Sequence, residues 1–223
     1  MEKEKKRSRK GSQPEGGADI KKAYIEYLLE EGKQPESVFK FCRQLGISES
    51  DFYELAGSFE ALEGVIWNDW LGSTIGRLKE NEEYATFGTR EKLLTFYYAL
   101  FEELRQNRSM VLKTARPRWN PEITPAFLKF FRKTFMTYIN DLLSSGRQSG
   151  EIANRPYLEK TYPALFWLHF CFLLSFWMND SSPGFEKTDA AIEKSVNLAF
   201  DLIGKGAVDS ALDFARFLYQ SAN

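Results

Sequence analysis

Within residues 40–53, Lys40, Arg43, Ser48, Ser50 and Tyr53 are candidates to give a hydrogen bond or a positive charge to a phosphate. Phosphate oxygens only accept, so hydroxyls and cations are what a protein must bring to a nucleic-acid backbone. Glu49, Asp51 and Glu54 are interleaved with these donors and repel phosphate. A carboxylate has one use in the major groove, where it can accept from cytosine N4. Across residues 20–62, the five cations Lys21, Lys22, Lys33, Lys40 and Arg43 face eight anions, a net charge of −3. Upstream, Lys3, Lys5, Lys6, Arg7, Arg9 and Lys10 form a basic run. That run reads two ways, as an arm that follows phosphates or a minor groove, or as a solvated tail.

Catalysis has no comparable foothold. The chain has a single histidine, His169, and no Gly-x-Ser-x-Gly, glycine-rich phosphate loop or paired metal ligands. No catalytic residue, metal site or cofactor is expected. Cys42 and Cys171 are far apart and make neither a disulfide framework nor a zinc site. A reducing compartment, the cytoplasm, fits them. No apolar run precedes Ile20, so no signal peptide is expected. The remaining chemistry is apolar. The chain carries 19 Phe, 10 Tyr and 5 Trp in 223 residues, which suits a cavity for an apolar ligand or a Phe-rich core. The residues expected to line such a pocket are Tyr97, Trp119, Phe131, Phe135, Tyr138, Trp167 and His169. His169 would bond a ligand's polar group, or be a satisfied interior group.

The elements that must hold the phosphate donors read as short helices. Ser37 is an N-cap, followed by Val38, Phe41 and Cys42 at helical spacing. Gly46 ends that helix, since glycine takes a left-handed backbone at little cost. Ser48 caps a third helix over about 49–55, with Phe52, Leu55 and Ala56 as its apolar stripe. Helix, glycine turn, helix is the layout of a helix-turn-helix. A first helix over 20–31 supplies Ile20, Ala23, Tyr24, Ile25 and Leu28 to the same small core.

The stretch GISESDFYELAGSFEAL, residues 46–62, resembles the TetR family pattern. That pattern is a glycine, a small apolar residue, a serine, a short helix with tyrosine, a small-residue turn, then Glu-Ala-Leu. Ile20, Ala23, Leu28 and Gly32 sit where the family carries apolar and glycine positions of its first helix. The likeness is direct over 20–62 and one of layout beyond. It implies an all-α fold, with a three-helix helix-turn-helix head over 20–62 and a helical bundle for ligand binding and dimerisation over 63–223. Residues 1–19 would be a disordered basic arm. The implied function is a ligand-responsive, DNA-binding transcriptional repressor with an apolar effector. In that family the helix after the head moves the reading heads, and the last two main helices pair two subunits. Residues 164–203 would form that homodimer contact. The family usually places Lys, Gly or Thr early in the third helix. Here that helix is acidic, and Phe59 replaces a family lysine. The departure weighs against operator DNA as partner and keeps a second reading. On it, a TetR-fold protein has lost operator binding and serves as a hydrophobic-ligand or lipid-binding partner protein, an analogy of fold alone.

Downstream, a long helix is expected over 60–81, its Gly72 and Gly76 allowing a close approach or a bend. A polar break over 82–88 precedes a helix capped by Thr89 and running to about Asn107, then a short helix over 109–115. Trp119 lies between two prolines, as a lid or a plug. A helix over 125–145 carries Leu128, Phe131, Phe135, Tyr138, Ile139 and Leu142, and the Gly146–Ile152 loop ends it. The segment Ala164–Met178 is apolar all round but 15 residues long. A bilayer span takes about 20, so burial on both sides is expected instead. Beyond it a helix is expected over 188–203. The amphipathic stretch 208–220 reads as a packed helix or as one touching lipid.

Overall fold

A computed structural model describes residues 16–115, 124–204 and 206. The expectations for the basic arm through residue 15, for Trp119 and for 208–220 lie outside these residues. Among them there is no strand, and the fold is all-α. The helices are α1 (Gly16–Glu31), α2 (Val38–Leu45), α3 (Glu49–Leu55), α4 (Phe59–Glu80), α5 (Glu82–Thr86), α6 (Thr89–Gln106), α7 (Arg108–Thr114), α8 (Lys129–Ser149), α9 (Pro156–Glu159), α10 (Tyr162–Asn179) and α11 (Glu186–Ile203). The chain divides into two compact units, Met1–Leu62 and Glu63–Asn223.

The first unit closes on aromatic rings. Tyr24 of α1, Phe41 of α2, Phe52 of α3 and Phe59 at the start of α4 are all buried. Tyr24 stacks on Phe59 at 5.4 Å, while Phe41 and Phe52 meet Phe59 edge-on at 5.5 and 5.3 Å. Edge-on and offset rings are favourable because their quadrupoles oppose. Phe59, which stands in place of a family lysine, is therefore a keystone of the head's core.

In the second unit α10 packs on α8, α11 on α6 and α6 on α8. Phe131 and Phe135 of α8 lie against Phe170 of α10 at 5.0 and 5.3 Å. Trp67 of α4 meets Phe127 at 5.6 Å and gives its indole N–H to Thr114 Oγ1 at 3.3 Å. Gly64 makes room for this: a Cβ there would sit 3.1 Å from the Phe127 carbonyl oxygen.

Several local expectations are corrected. At Gly72 and Gly76 an added Cβ would meet nothing within 4 Å, so neither permits a close approach; Gly64 does. The polar break contains α5, whose cap is Asn81, its side chain accepting from the Tyr84 amide. Thr89 is the first residue of α6, not its cap. The α6 N-terminus is closed by Glu151, whose carboxylate accepts from the Thr89 amide at 2.8 Å. Gly146 does not end α8. The helix runs to Ser149 and stops at Gly150 with φ 81°. Gly146 is needed inside it because a Cβ would fall 2.7–2.9 Å from Ile152 and Thr89. The apolar helix α10 is not among the corrections: within one chain its inner side is buried, and Leu165, Leu168, Phe172 and Phe176 on the other side are exposed, the side expected to meet a second subunit. No helix among the described residues is long and apolar enough to cross a membrane.

Candidate functional site

In the head, α2 and α3 are both built by their caps. Ser37 accepts from the Lys40 amide, and Gly46 turns the chain at φ 70°. Ser48 and Asp51 form a reciprocal capping box: Ser48 Oγ accepts the Asp51 amide at 3.1 Å, and Asp51 accepts the Ser48 amide at 2.9 Å. The Ser48 amide, then its hydroxyl, hold the Asp51 carboxyl below the usual carboxylate range. One of the three acids on α3 is thus a cap whose charge also suits the positive end of the helix dipole.

The five expected phosphate donors part company here. Ser48 Oγ is occupied as a cap acceptor. The Lys40 ammonium sits on the Glu36 carboxylate, which raises its pKa and lowers that of Glu36. Arg43, Ser50 and Tyr53 are exposed, with Tyr53 edge-on to Phe52 at 5.7 Å. Glu49 and Glu54 are exposed beside them.

The expected pocket residues are also divided. Phe131, Phe135 and Trp167 are buried, with Trp167 meeting Phe135 edge-on at 5.8 Å. Tyr138 stacks near Phe96 at 4.5 Å and shares a hydrogen bond with the Tyr84 hydroxyl. It also lines a mixed groove of about 410 Å³ with Asn68, Ile75, Lys79, Phe130, Lys133 and Asp141. Tyr97 and His169 belong together: the Tyr97 hydroxyl lies 3.2 Å from His169 Nδ1, and His169 Nε2 lies 2.7 Å from Ser195 Oγ. Ser195 donates to the Ala191 carbonyl at 2.6 Å. Its hydroxyl proton is then spent, so Nε2 carries the imidazole proton and Nδ1 accepts from Tyr97. This tautomer is neutral, and burial pushes the His169 pKa down to about 4.

His169 also lines an apolar groove of about 320 Å³ between α9, α10 and α11, with Leu158, Leu165, Phe166, Leu202 and Ile203. Arg155 lines it as well, buried, and gives its guanidinium to the Leu202 and Gly204 carbonyls at 2.9 and 3.0 Å. Leu158, Leu165 and Leu202 are exposed around it. Sequence reasoning found His169 but missed Arg155. An arginine before a proline gives no sign that it is buried at the end of a helix 47 residues away. Among the described residues no group of His, Cys, Asp or Glu could hold a metal ion.

A family model described as tetracyclin repressor-like, C-terminal domain, matches residues 92–218. No curated protein matches the sequence. Solved structures share the fold. The regulator FadR from Bacillus subtilis, in complex with stearoyl-CoA, is 17% identical, with TM-score 0.59 over 80% of this chain and 96% of its own. A tetR-family regulatory protein from Rhodococcus RHA1 is 16% identical, with TM-score 0.53 over 87% of this chain and all of its own, 100%. A Rhodococcus sp. RHA1 protein of unknown function is 12% identical, with TM-score 0.57 over 89% of this chain and 100% of its own.

Proposed function

The chain belongs to the TetR family, and from that premise we propose that it is a ligand-responsive transcriptional repressor acting as a homodimer. The observation that carries the reading is the head: two capped helices about Gly46, with Arg43, Ser50 and Tyr53 exposed around α3. Hydroxyls and a guanidinium in that place suit phosphates, which position a protein on DNA without reading sequence. The basic run Lys3–Lys10 adds the long-range attraction that the head's net charge of −3 lacks.

Pairing uses the outer faces of α10 and α11. Leu168, Phe172 and Phe176, with Leu198, are exposed there. A contiguous apolar stripe on a protein surface marks an interaction site, and a two-fold axis through it would give two heads for a palindromic operator. The effector is an apolar molecule seated in the groove beside His169. Its lining is aliphatic and aromatic, and the imidazole is already satisfied by Tyr97 and Ser195. This seat lies away from Phe131, Phe135 and Trp167, whose rings pack on one another.

One observation favours a second reading, a TetR-fold protein that binds an apolar ligand and no operator. Glu49 and Glu54 remain exposed on α3 while Lys40 is neutralised by Glu36. Retention of genomic DNA fragments by the full chain, titrated with salt, separates the two. Repression requires specific retention that falls steeply with salt, as counterions compete for the phosphates. Absence of retention even at low salt leaves the ligand-binding reading.

A further inference from the structure

The mixed groove of about 410 Å³ lies between α4 and α8, wholly within the second unit, and the function proposed above makes no use of it. Its two ends carry different chemistry. Contacts between the helices climb together: Gly64 faces the Phe127 carbonyl, Trp67 meets Phe131 at 5.9 Å, and Thr134 bonds Asn68. The two helices therefore run in the same direction, and the Asn68–Thr134 bond lies towards one end of the groove. Lys133 stands beside that bond on α8. Asp141 comes about 10 Å further along α8 than Thr134, and Lys79 about 16 Å further along α4 than Asn68. Helical side chains lean towards the helix N-terminus, so the Lys79 stem reaches back towards the level of Asp141.

The polar groups at both ends have bonding capacity left. Thr134 Oγ1 donates to Asn68 Oδ1 at 2.7 Å, which orients the amide and leaves its NH2 to donate. Among the described residues, neither Lys79 nor Lys133 has a carboxylate within ion-pair distance, and Asp141 has no cation. The apolar part of the lining includes Ile75 and Phe130, whose ring is 61% exposed. In the interior between the same helices Trp67 packs on Phe127 and Phe131, so a ligand lies along the groove and not beneath it. We propose that this groove binds a hydroxyaryl carboxylate: a flat apolar body with a carboxylate at one end and a neutral hydroxyl at the other. The carboxylate takes the Lys133 ammonium and the Asn68 NH2, and a charged acceptor strengthens both bonds. The ring lies against Phe130 and Ile75, where offset or edge-on aromatic contact is favourable. The hydroxyl accepts from Lys79 and donates to Asp141; a second carboxylate there would meet the Asp141 charge. This ligand differs in class from the apolar molecule seated beside His169, and its site stands whether or not that seat does.

The probe is a hydroxynaphthoate with its two groups at opposite ends, titrated calorimetrically into the full chain. Its methyl ester lacks the charge, and plain naphthoate lacks the hydroxyl. The wild type is expected to prefer the probe over each by about tenfold. Lys133→Met is expected to abolish the preference over the ester and to keep the preference over naphthoate. Asp141→Ala is expected to do the reverse. Both residues are exposed and without an ion pair, so the helical circular dichroism of the variants is expected to match the wild type. Leu165→Asp, at the groove beside His169, is expected to change neither preference. No binding of the probe, preferences that survive both substitutions, or binding lost with Leu165→Asp overturns the proposal.

Discussion

Replacing His169 by leucine should change the pH dependence of stability in a direction the relay fixes. In the folded chain the imidazole is neutral, accepting from Tyr97 and donating to Ser195, and burial holds its pKa at about 4 against 6.5 in the open. A base whose folded pKa is depressed binds fewer protons folded than unfolded. Its neutral burial is therefore without cost above pH 6.5, and stability is lost as pH falls from 6.5 through 4. The full loss is about 3 kcal/mol, of which about 2 kcal/mol has gone by pH 5. Leucine cannot titrate, so this share of the acid sensitivity disappears. Leucine also strips the fully buried Tyr97 hydroxyl of its acceptor, which costs about 1–3 kcal/mol at every pH. The two curves are thus expected to differ at pH 7.5, with the wild type more stable, and to converge or cross between pH 5 and 4. Urea unfolding followed by tryptophan fluorescence measures this, since Trp67, Trp70, Trp167 and Trp177 all report on the second unit. Parallel curves for the two proteins would refute the neutral, relay-bonded histidine.

Other substitutions test the remaining parts. Glu49→Gln with Glu54→Gln removes two exposed carboxylates that cap nothing, and should raise DNA affinity in a retention assay; Asp51→Ala should instead lower head stability by removing the capping-box acceptor, read as faster hydrogen exchange on α3. Phe172→Asp should leave the fold intact and shift the chain to monomer in sedimentation, because the side chain is 52% exposed within one subunit. Arg108→Ala should cost about 3 kcal/mol in the second unit, measured by denaturant midpoint. Its guanidinium donates to the Trp177, Met178 and Asp180 carbonyls and lies 4.4 and 4.5 Å from the Trp177 and Phe185 rings.

Features that depend on neighbours in sequence could be read in the residue order. Ser37, Gly46 and Ser48 act as caps because capping is settled within four residues, and the apolar stripes of α2, α3 and α8 come from the helical period. Long-range partners were not readable. Glu151 closes α6 from 62 residues away, and Gly146 is needed in part because Thr89, distant in sequence, lies against it along with Ile152. The same limit governs the site. Aromatic content pointed to a pocket, yet whether Phe131 and Phe135 face a ligand or each other is decided by α10. The capping role of Asp51 was within reach, since Ser-x-x-Asp is a capping-box spacing; only its reading as an obstacle to DNA concealed it.

As a repressor of the kind proposed, the protein would read a two-fold operator with its paired heads. Nuclease footprinting of fragments retained by the full chain addresses it most directly. The expected result is two protected half-sites related by a two-fold axis and centred about one helical turn, or a multiple of it, apart. Protection without half-sites, or none at any chain concentration at low salt, would contradict it.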